Sequence, residues 1–197
     1  MKQKTNPNSV EIEIQVQVES AKKLRVFLNK NAKFIDTQHQ IDEYFTPPDR
    51  NFTHVRPVNE WLRLRNSSGK YFINYKNWHR EIDGRTHFCD EYESEIESLE
   101  QLQNIFKVLN FKSLIVVDKT REIYLFEDYE IALDQVKGLG EFVEIEYKGE
   151  NHSKKPAEIT TEMIKFLKDQ ACGRIVRNYV GYPYQLLFPD EIDLEDY

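Results

Sequence analysis

From Val10 to Val18 every even position is apolar, and the odd positions are Glu11, Glu13, Gln15 and Gln17. Successive side chains of a β-strand point to opposite faces, so this period of two predicts a strand with one apolar and one polar side. The same period recurs in QIDEYF (40–45), WLRLR (61–65), YFINYK (71–76), DEYESEI (90–96) and EFVEIEYK (141–148). Residues 113–136 are long enough for two or three strands with a turn near Glu127-Asp128. Ser67-Ser68-Gly69 and Lys137-Gly138-Leu139-Gly140 supply further turn signals. Helical spacing appears in 19–31, where Leu24, Phe27 and Leu28 share a side, in 97–110, with Leu99, Leu102, Ile105, Phe106 and Leu109, and again at about 160–170. The stretch 46–60 carries three prolines and reads as a long loop.

About eight strands and three helices with antiparallel connections predict an α+β fold: one domain over 1–197 built on a large curved or closed sheet. Residues 1–9 read as a flexible, polar N-terminus and 188–197 as a solvated acidic tail. Composition changes little in this picture. The chain is 40% hydrophobic and 31% charged, with a formal net charge of −7, which argues against a nucleic-acid polymer as partner. Cys89 and Cys172 form no CxxC pair, so no disulfide framework or zinc-thiolate site is expected. No apolar run approaches the ~20 residues that span a bilayer, and MKQKTNPNSV lacks the apolar core of a signal peptide. The expectation is a cytoplasmic protein with no membrane association.

The charges sort by strand. Glu11/Glu13, Arg63/Arg65, Glu93/Glu95, Lys119/Arg121 and Glu144/Glu146 are like-charged i,i+2 pairs, each on one face of its strand at a spacing of roughly 6.6 Å. Lys76 and Asp134 end strands and can join the same surface. Any single pair reads most simply as a solvated face. Solvated faces usually mix their residue types, however, whereas here two strands are purely basic and three purely acidic over the pair. Adjacent like charges repel unless opposite charge lies across from them. A sheet that turns these faces inward makes a tunnel with acidic and basic walls, its apolar faces packing outward against helices.

Clustered carboxylates bind hard divalent cations through oxygen, and Mg²⁺ commonly bridges to substrate phosphates. Arginine and lysine hold phosphate oxygens, arginine bidentately. A site with both suits a polyphosphate–metal complex, and the absence of a GxxxxGK[ST] motif leaves the phosphates to side chains.

Glu11-Ile12-Glu13, QIDEYF, WLRLR, YK at 75–76, YESEI, VDKTREIY and ALDQVKGLGEFVEIE stand in an order and spacing that resemble the CYTH, or triphosphate tunnel metalloenzyme, superfamily. QIDEYFTPPDRNF and LDQVKGLGEFVEIE look most like its class IV adenylyl cyclase branch. The resemblance runs from about Val10 to Lys148, with weaker echoes to Leu187. It implies an eight-stranded antiparallel closed β-barrel with a polar, charged interior and flanking helices, acting on ATP or a similar triphosphate with Mg²⁺ or Mn²⁺. Carried over residue by residue, Glu11, Glu13, Asp134, Glu144 and Glu146 form the metal side. Arg63, Arg65, Lys76, Lys119 and Arg121 grip the phosphates, and Glu93 and Glu95 match a further acidic strand. Glu11, Glu13, Lys76, Lys119 and Arg121 are the catalytic candidates, and a homodimer is a possible assembly.

One position departs from the family. Its opening motif is ExExK, and Gln15 stands where lysine belongs, offering a hydrogen bond but no charge. Three readings follow: a cyclase making cyclic AMP and pyrophosphate, a triphosphatase acting on tripolyphosphate or thiamine triphosphate, and a triphosphate-binding module with weakened catalysis. His79, His87 and Cys89 lack a second cluster and read as structural. Arg174 and Arg177 read as caps of the last helix, and Cys172 as an unreactive thiol.

Overall fold

The computed structural model describes residues 12–80, 86–149 and 155–197. Its core is one antiparallel sheet: β1 (Glu13–Val18), β2 (Lys33–Thr46), β3 (Glu60–Ser67), β4 (Lys70–Arg80), β5 (Thr86–Ile96), β6 (Lys112–Phe126), β7 (Tyr129–Val136), β8 (Gly140–Tyr147), β9 (Ile175–Arg177) and β10 (Glu195–Asp196). Four helices accompany it: α1 (Lys22–Asn31), α2 (Leu99–Val108), α3 (Pro156–Asp169) and α4 (Tyr182–Leu187). None of the described helices is long and apolar enough to cross a membrane.

The strands follow the order β10-β9-β1-β8-β7-β6-β2-β3-β4-β5. This corrects the expectation of an eight-stranded closed barrel. There are ten strands, and no pairing among the described residues joins the β10 edge to the β5 edge. The two extra strands come from the C-terminal segment: β9 pairs with β1, and β10 with β9. The acidic tail is therefore partly structured, ending in β10, with Asp196 accepting from Arg174 Nε at 2.6 Å. Its last residues stay exposed, as their charge requires.

Alternation decides which way each strand faces. Ile14, Val16 and Val18 of β1 are buried together with Ile131 and Leu133 of β7 and with Val143 and Ile145 of β8. Leu24 and Leu28 of α1 and Ile159, Met163 and Leu167 of α3 cover this apolar side. A fully buried leucine such as Leu24, at 0% exposure, makes this face costly to disturb. Leu24→Ala removes about 2–5 kcal/mol. A smaller cluster of Phe45, Leu64 and Phe106 packs α2 against β2 and β3. Ser98 starts α2 by accepting from Gln101 N, and Pro156 opens α3 at a position where no backbone donor is needed.

A third apolar cluster lies on the opposite side of the sheet. Tyr44, Trp61, Val117, Val136 and Phe142 pack there with Tyr182 and Tyr184 of α4. The polar side of the sheet thus has an apolar end, covered by the C-terminal segment, which the expectation of a wholly charged interior did not include. The segment is held at its far end by Arg56, which pairs with Glu191 and lies over the ring of Phe188 at 3.7 Å.

Candidate functional site

Residues directly opposite in an antiparallel pair share a face. The register sets Gln15 against Glu144, Arg121 against Asp134, Gln40 against Lys119, Asp42 against Arg65, and Arg63 against Asn74. Lys76 in turn opposes Glu91. Across this face acids on β1, β8 and β7 give way to Lys119 and Arg121 on β6, then to Asp42 on β2, to Arg63, Arg65 and Lys76 on β3 and β4, and to Glu91 on β5. A cavity of about 250 Å³ opens there, lined by Glu13, Gln15, Arg63, Arg65, Lys76, Lys119, Arg121 and Glu144. Asp42, Asn74, Trp61 and Trp78 complete the strand walls, and residues 179–184 supply an aromatic one.

On the β6–β7 side every charge is engaged. Asp134, whose side chain is 0% exposed, accepts from Arg121 Nε at 2.7 Å, Arg121 Nη2 at 2.6 Å and Lys119 Nζ at 3.0 Å. The Tyr182 hydroxyl donates to the same carboxylate at 2.8 Å. Arg121 also reaches Glu144 twice, at 3.0 and 2.9 Å, and Gln15 Nε2 donates to Glu144 at 3.2 Å. Burial pushes the acidity of both carboxyls toward neutral, but Arg121 and Lys119 outweigh it and hold Asp134 and Glu144 below the usual carboxylate range. Lys119 goes the other way. Burial first, then the Arg121 charge, lowers its ammonium to about 8, against the pull of Asp134 and Glu144.

On the β2–β3 side one carboxylate serves two arginines. Asp42 is 2% exposed and takes Arg65 bidentately, Nε and Nη2 each at 2.6 Å. Arg63 Nη1 reaches Asp42 only at 3.4 Å, its Nη2 lies 3.8 Å from Glu93, and its buried Nε has no hydrogen-bond partner. Burial opposes ionisation of Asp42, yet the bond from Arg65 and the charges of Arg63 and Arg65 keep its carboxyl below the ordinary range. Beside this pair, Asn74 donates to Glu91 at 2.7 Å and Lys76 lies 3.0 Å from the same carboxylate.

Arg63, Arg65, Lys76, Lys119, Arg121, Glu13, Gln15 and Glu144 thus meet around one space. Glu93 sits at its edge, near Arg63. Glu95 is exposed and does not line the cavity, and Glu146 faces Glu13 across the β1–β8 pair but is engaged by Lys148 at 2.5 Å. Glu11 lies outside the described residues, as does the side chain of His87. Among the described residues no three His, Cys, Asp or Glu side chains gather to hold a metal. Arg174 pairs with Asp196, and His79 with Asp90, both away from the cavity.

Asp42, Asn74 and Tyr182 join the site without belonging to any like-charged pair in the sequence, and Glu91 extends the Glu93/Glu95 pair by a further two residues. Asp42 carried one usable signal. It shares the parity of Tyr44 on a strand that runs beside WLRLR. Tyr182 carried none, because its short segment has no periodicity that places it against β7.

Comparison with known proteins agrees with this geometry. The CYTH domain matches residues 9–171, so the chain belongs to the CYTH family. A Methanocaldococcus jannaschii protein with the provisional name of an adenylate cyclase is 38% identical over 160 residues, covering 81% of this chain and 88% of its own. A solved Pyrococcus horikoshii structure superimposes with a TM-score of 0.68 at 26% identity, over 89% of this chain and 98% of that one. A Hippeastrum structure, that of a protein provisionally named an adenylyl cyclase and described as revealing a dominant triphosphatase activity, shares the fold with a TM-score of 0.63 at 19% identity, covering 91% of this chain and 95% of that one.

Proposed function

We propose that this CYTH protein binds a nucleoside triphosphate with Mg²⁺ or Mn²⁺ and converts ATP to cyclic AMP and pyrophosphate. The observation that carries the reading is the convergence of Arg63, Arg65, Lys76, Lys119 and Arg121, from three strands, on one cavity. Five cations on rigid strands match the charge of a triphosphate chain and stabilise the charge that builds on a pyrophosphate leaving group. The provisional name of the M. jannaschii relative supports the choice of cyclase.

In the cyclase reaction the ribose 3′-hydroxyl gives its proton to water as its oxygen attacks the α-phosphorus, the bond from that phosphorus to the α–β bridging oxygen breaks, and pyrophosphate departs. Arginines fixed by buried carboxylates orient the phosphates with little reorganisation. Asp42 and Asp134 are poor proton acceptors, since each is held ionised below the ordinary carboxylate range and already accepts from several donors. A metal ion would polarise phosphate oxygens. Of the acids the resemblance puts on the metal side, Glu13 lines the cavity and would hold Mg²⁺ or Mn²⁺ together with phosphate and water, whereas Glu144 is taken by Arg121 and Gln15 and Glu146 by Lys148. Asp134, expected from the resemblance on the metal side, is read here as the counter-ion of Lys119 and Arg121, because four donors already use its two oxygens.

Hydrolysis is the second reading. Water attacks a terminal phosphorus under the same electrostatics, and the activity ascribed to the Hippeastrum protein favours weighing it. Incubation with ATP or tripolyphosphate plus Mg²⁺ or Mn²⁺, with the products resolved, separates the two. Cyclic AMP with pyrophosphate supports the cyclase, and release of inorganic phosphate the triphosphatase. Tight binding without product would leave a binding module, and no binding would sink the triphosphate reading altogether.

A further inference from the structure

We infer that Asp42 is a positioning residue, which fixes Arg65 in the phosphate grip while leaving Arg63 to turn onto the ligand. The inference rests on the triphosphate reading and adds to it a role for a buried acid whose oxygens are already engaged by two arginines. Asp42 belongs to the cavity wall at 2% exposure, and both arginines beside it bond to its carboxylate. Its oxygens are spent on guanidinium groups, and the two arginines are held unequally. Arg65 gives Nε and Nη2 to the carboxylate at 2.6 Å each, which fixes the plane of its guanidinium. Its Nη1 makes no bond to Asp42, leaving that donor for a phosphate oxygen.

Arg63 meets Asp42 through one nitrogen at 3.4 Å and Glu93 through another at 3.8 Å, and keeps a buried Nε with no hydrogen-bond partner. A buried donor left unpaired costs free energy that a ligand oxygen can recover. Asp42 therefore divides the work: one arginine is pre-oriented, and the other keeps unused bonding capacity.

This role differs in sign from a purely electrostatic one. Neutralising a buried acid makes the cavity more positive, so on charge alone Asp42→Asn should tighten binding of a polyanion. If Asp42 acts by orienting Arg65, the same substitution frees the guanidinium and weakens binding. The test is titration calorimetry of the full chain with tripolyphosphate, in the presence and absence of Mg²⁺. We expect Asp42→Asn to weaken binding by about tenfold, the scale of one well-oriented charged hydrogen bond. In an Arg65→Gln background the further loss from Asp42→Asn should shrink to less than about twofold, since the two residues then act as one.

Arg65→Lys provides a second readout that does not depend on Asp42→Asn folding. It keeps the charge, but Asp42 cannot hold it bidentately, so a comparable loss is expected. Unchanged or tighter binding in Asp42→Asn, full additivity with Arg65→Gln, or undiminished affinity in Arg65→Lys overturns the role of Asp42 alone. If the unsubstituted protein does not bind tripolyphosphate, the triphosphate reading falls, and the role of Asp42 with it.

Discussion

The cavity has two basic walls built from the same parts and finished differently. On β6 and β7, Lys119 and Arg121 share Asp134, and Arg121 takes a second acid in Glu144. On β2 and β3, Arg63 and Arg65 share Asp42, and the nearest second acid, Glu93, is 3.8 Å from Arg63 with a side chain 44% exposed. The first wall is saturated, while the second retains a buried guanidinium nitrogen without a partner. Equal charge patterns in sequence can therefore hide unequal freedom in space. The saturated wall gives the site its shape, and the unsaturated wall keeps the bonding capacity a ligand can use.

The sharpest way to break this contrast is to remove one arginine from each wall. Arg121→Gln removes the guanidinium shared by Asp134 and Glu144, leaving Asp134 to Lys119 and Tyr182 and Glu144 to Gln15, and should cost about 3 kcal/mol in urea unfolding. Arg63→Gln leaves Asp42 its bidentate partner and should cost about 1 kcal/mol. Equal losses would show that the walls are equivalent after all.

The pH dependence probes the saturated wall next. Because Lys119 is lowered to about 8 from an ordinary value near 10.5, the unfolded chain binds this proton more tightly. The contribution of this group to stability therefore rises as pH climbs from about 8 toward 10.5. Ligand affinity moves oppositely, because the cationic form grips phosphate. Between pH 7 and 9 the part of triphosphate affinity owed to Lys119 should fall by up to about tenfold, and Lys119→Met should flatten the profile measured by calorimetry.

Two smaller substitutions sharpen the comparison further. Tyr182→Phe deletes one of four donors to Asp134 and should lower stability by about 1 kcal/mol, visible as a reduced urea midpoint. Gln15→Lys places a cation beside Glu144 and competes with Arg121 for it. It should loosen the saturated wall and raise turnover or triphosphate affinity a few-fold, on the scale of one partly screened charge contact. An unchanged rate and affinity would mean that Gln15 is neutral for this chemistry.

Much of this arrangement is legible in the alternation of the chain. The strands carrying the five like-charged pairs are present wherever the structure describes them, and the turns at 67–69, 127–128 and 137–140 fall between strands. Three things were not legible. The first half of β2, from Lys33 to His39, is mostly exposed and shows little alternation, and pairing with β6 rather than its own pattern makes it a strand. Asp42 stands alone between Ile41 and Glu43, and its meaning comes only from lying across from Arg65. The C-terminal segment adds two strands at one edge of the open sheet and packs α4 on the face that bears the cavity, and no local periodicity announces such long-range docking.

That docking means that the walls of the cavity are drawn from distant parts of the chain. The CYTH match ends at residue 171, yet residues 179–184 form one wall of the cavity. The charged grid and the aromatic wall thus come from different stretches of the chain, the first from the strands of the sheet and the second from a late segment anchored through Arg56, Phe188 and Glu191. Substitutions at residues 179–184 can therefore reshape that wall without touching a strand of the phosphate grip.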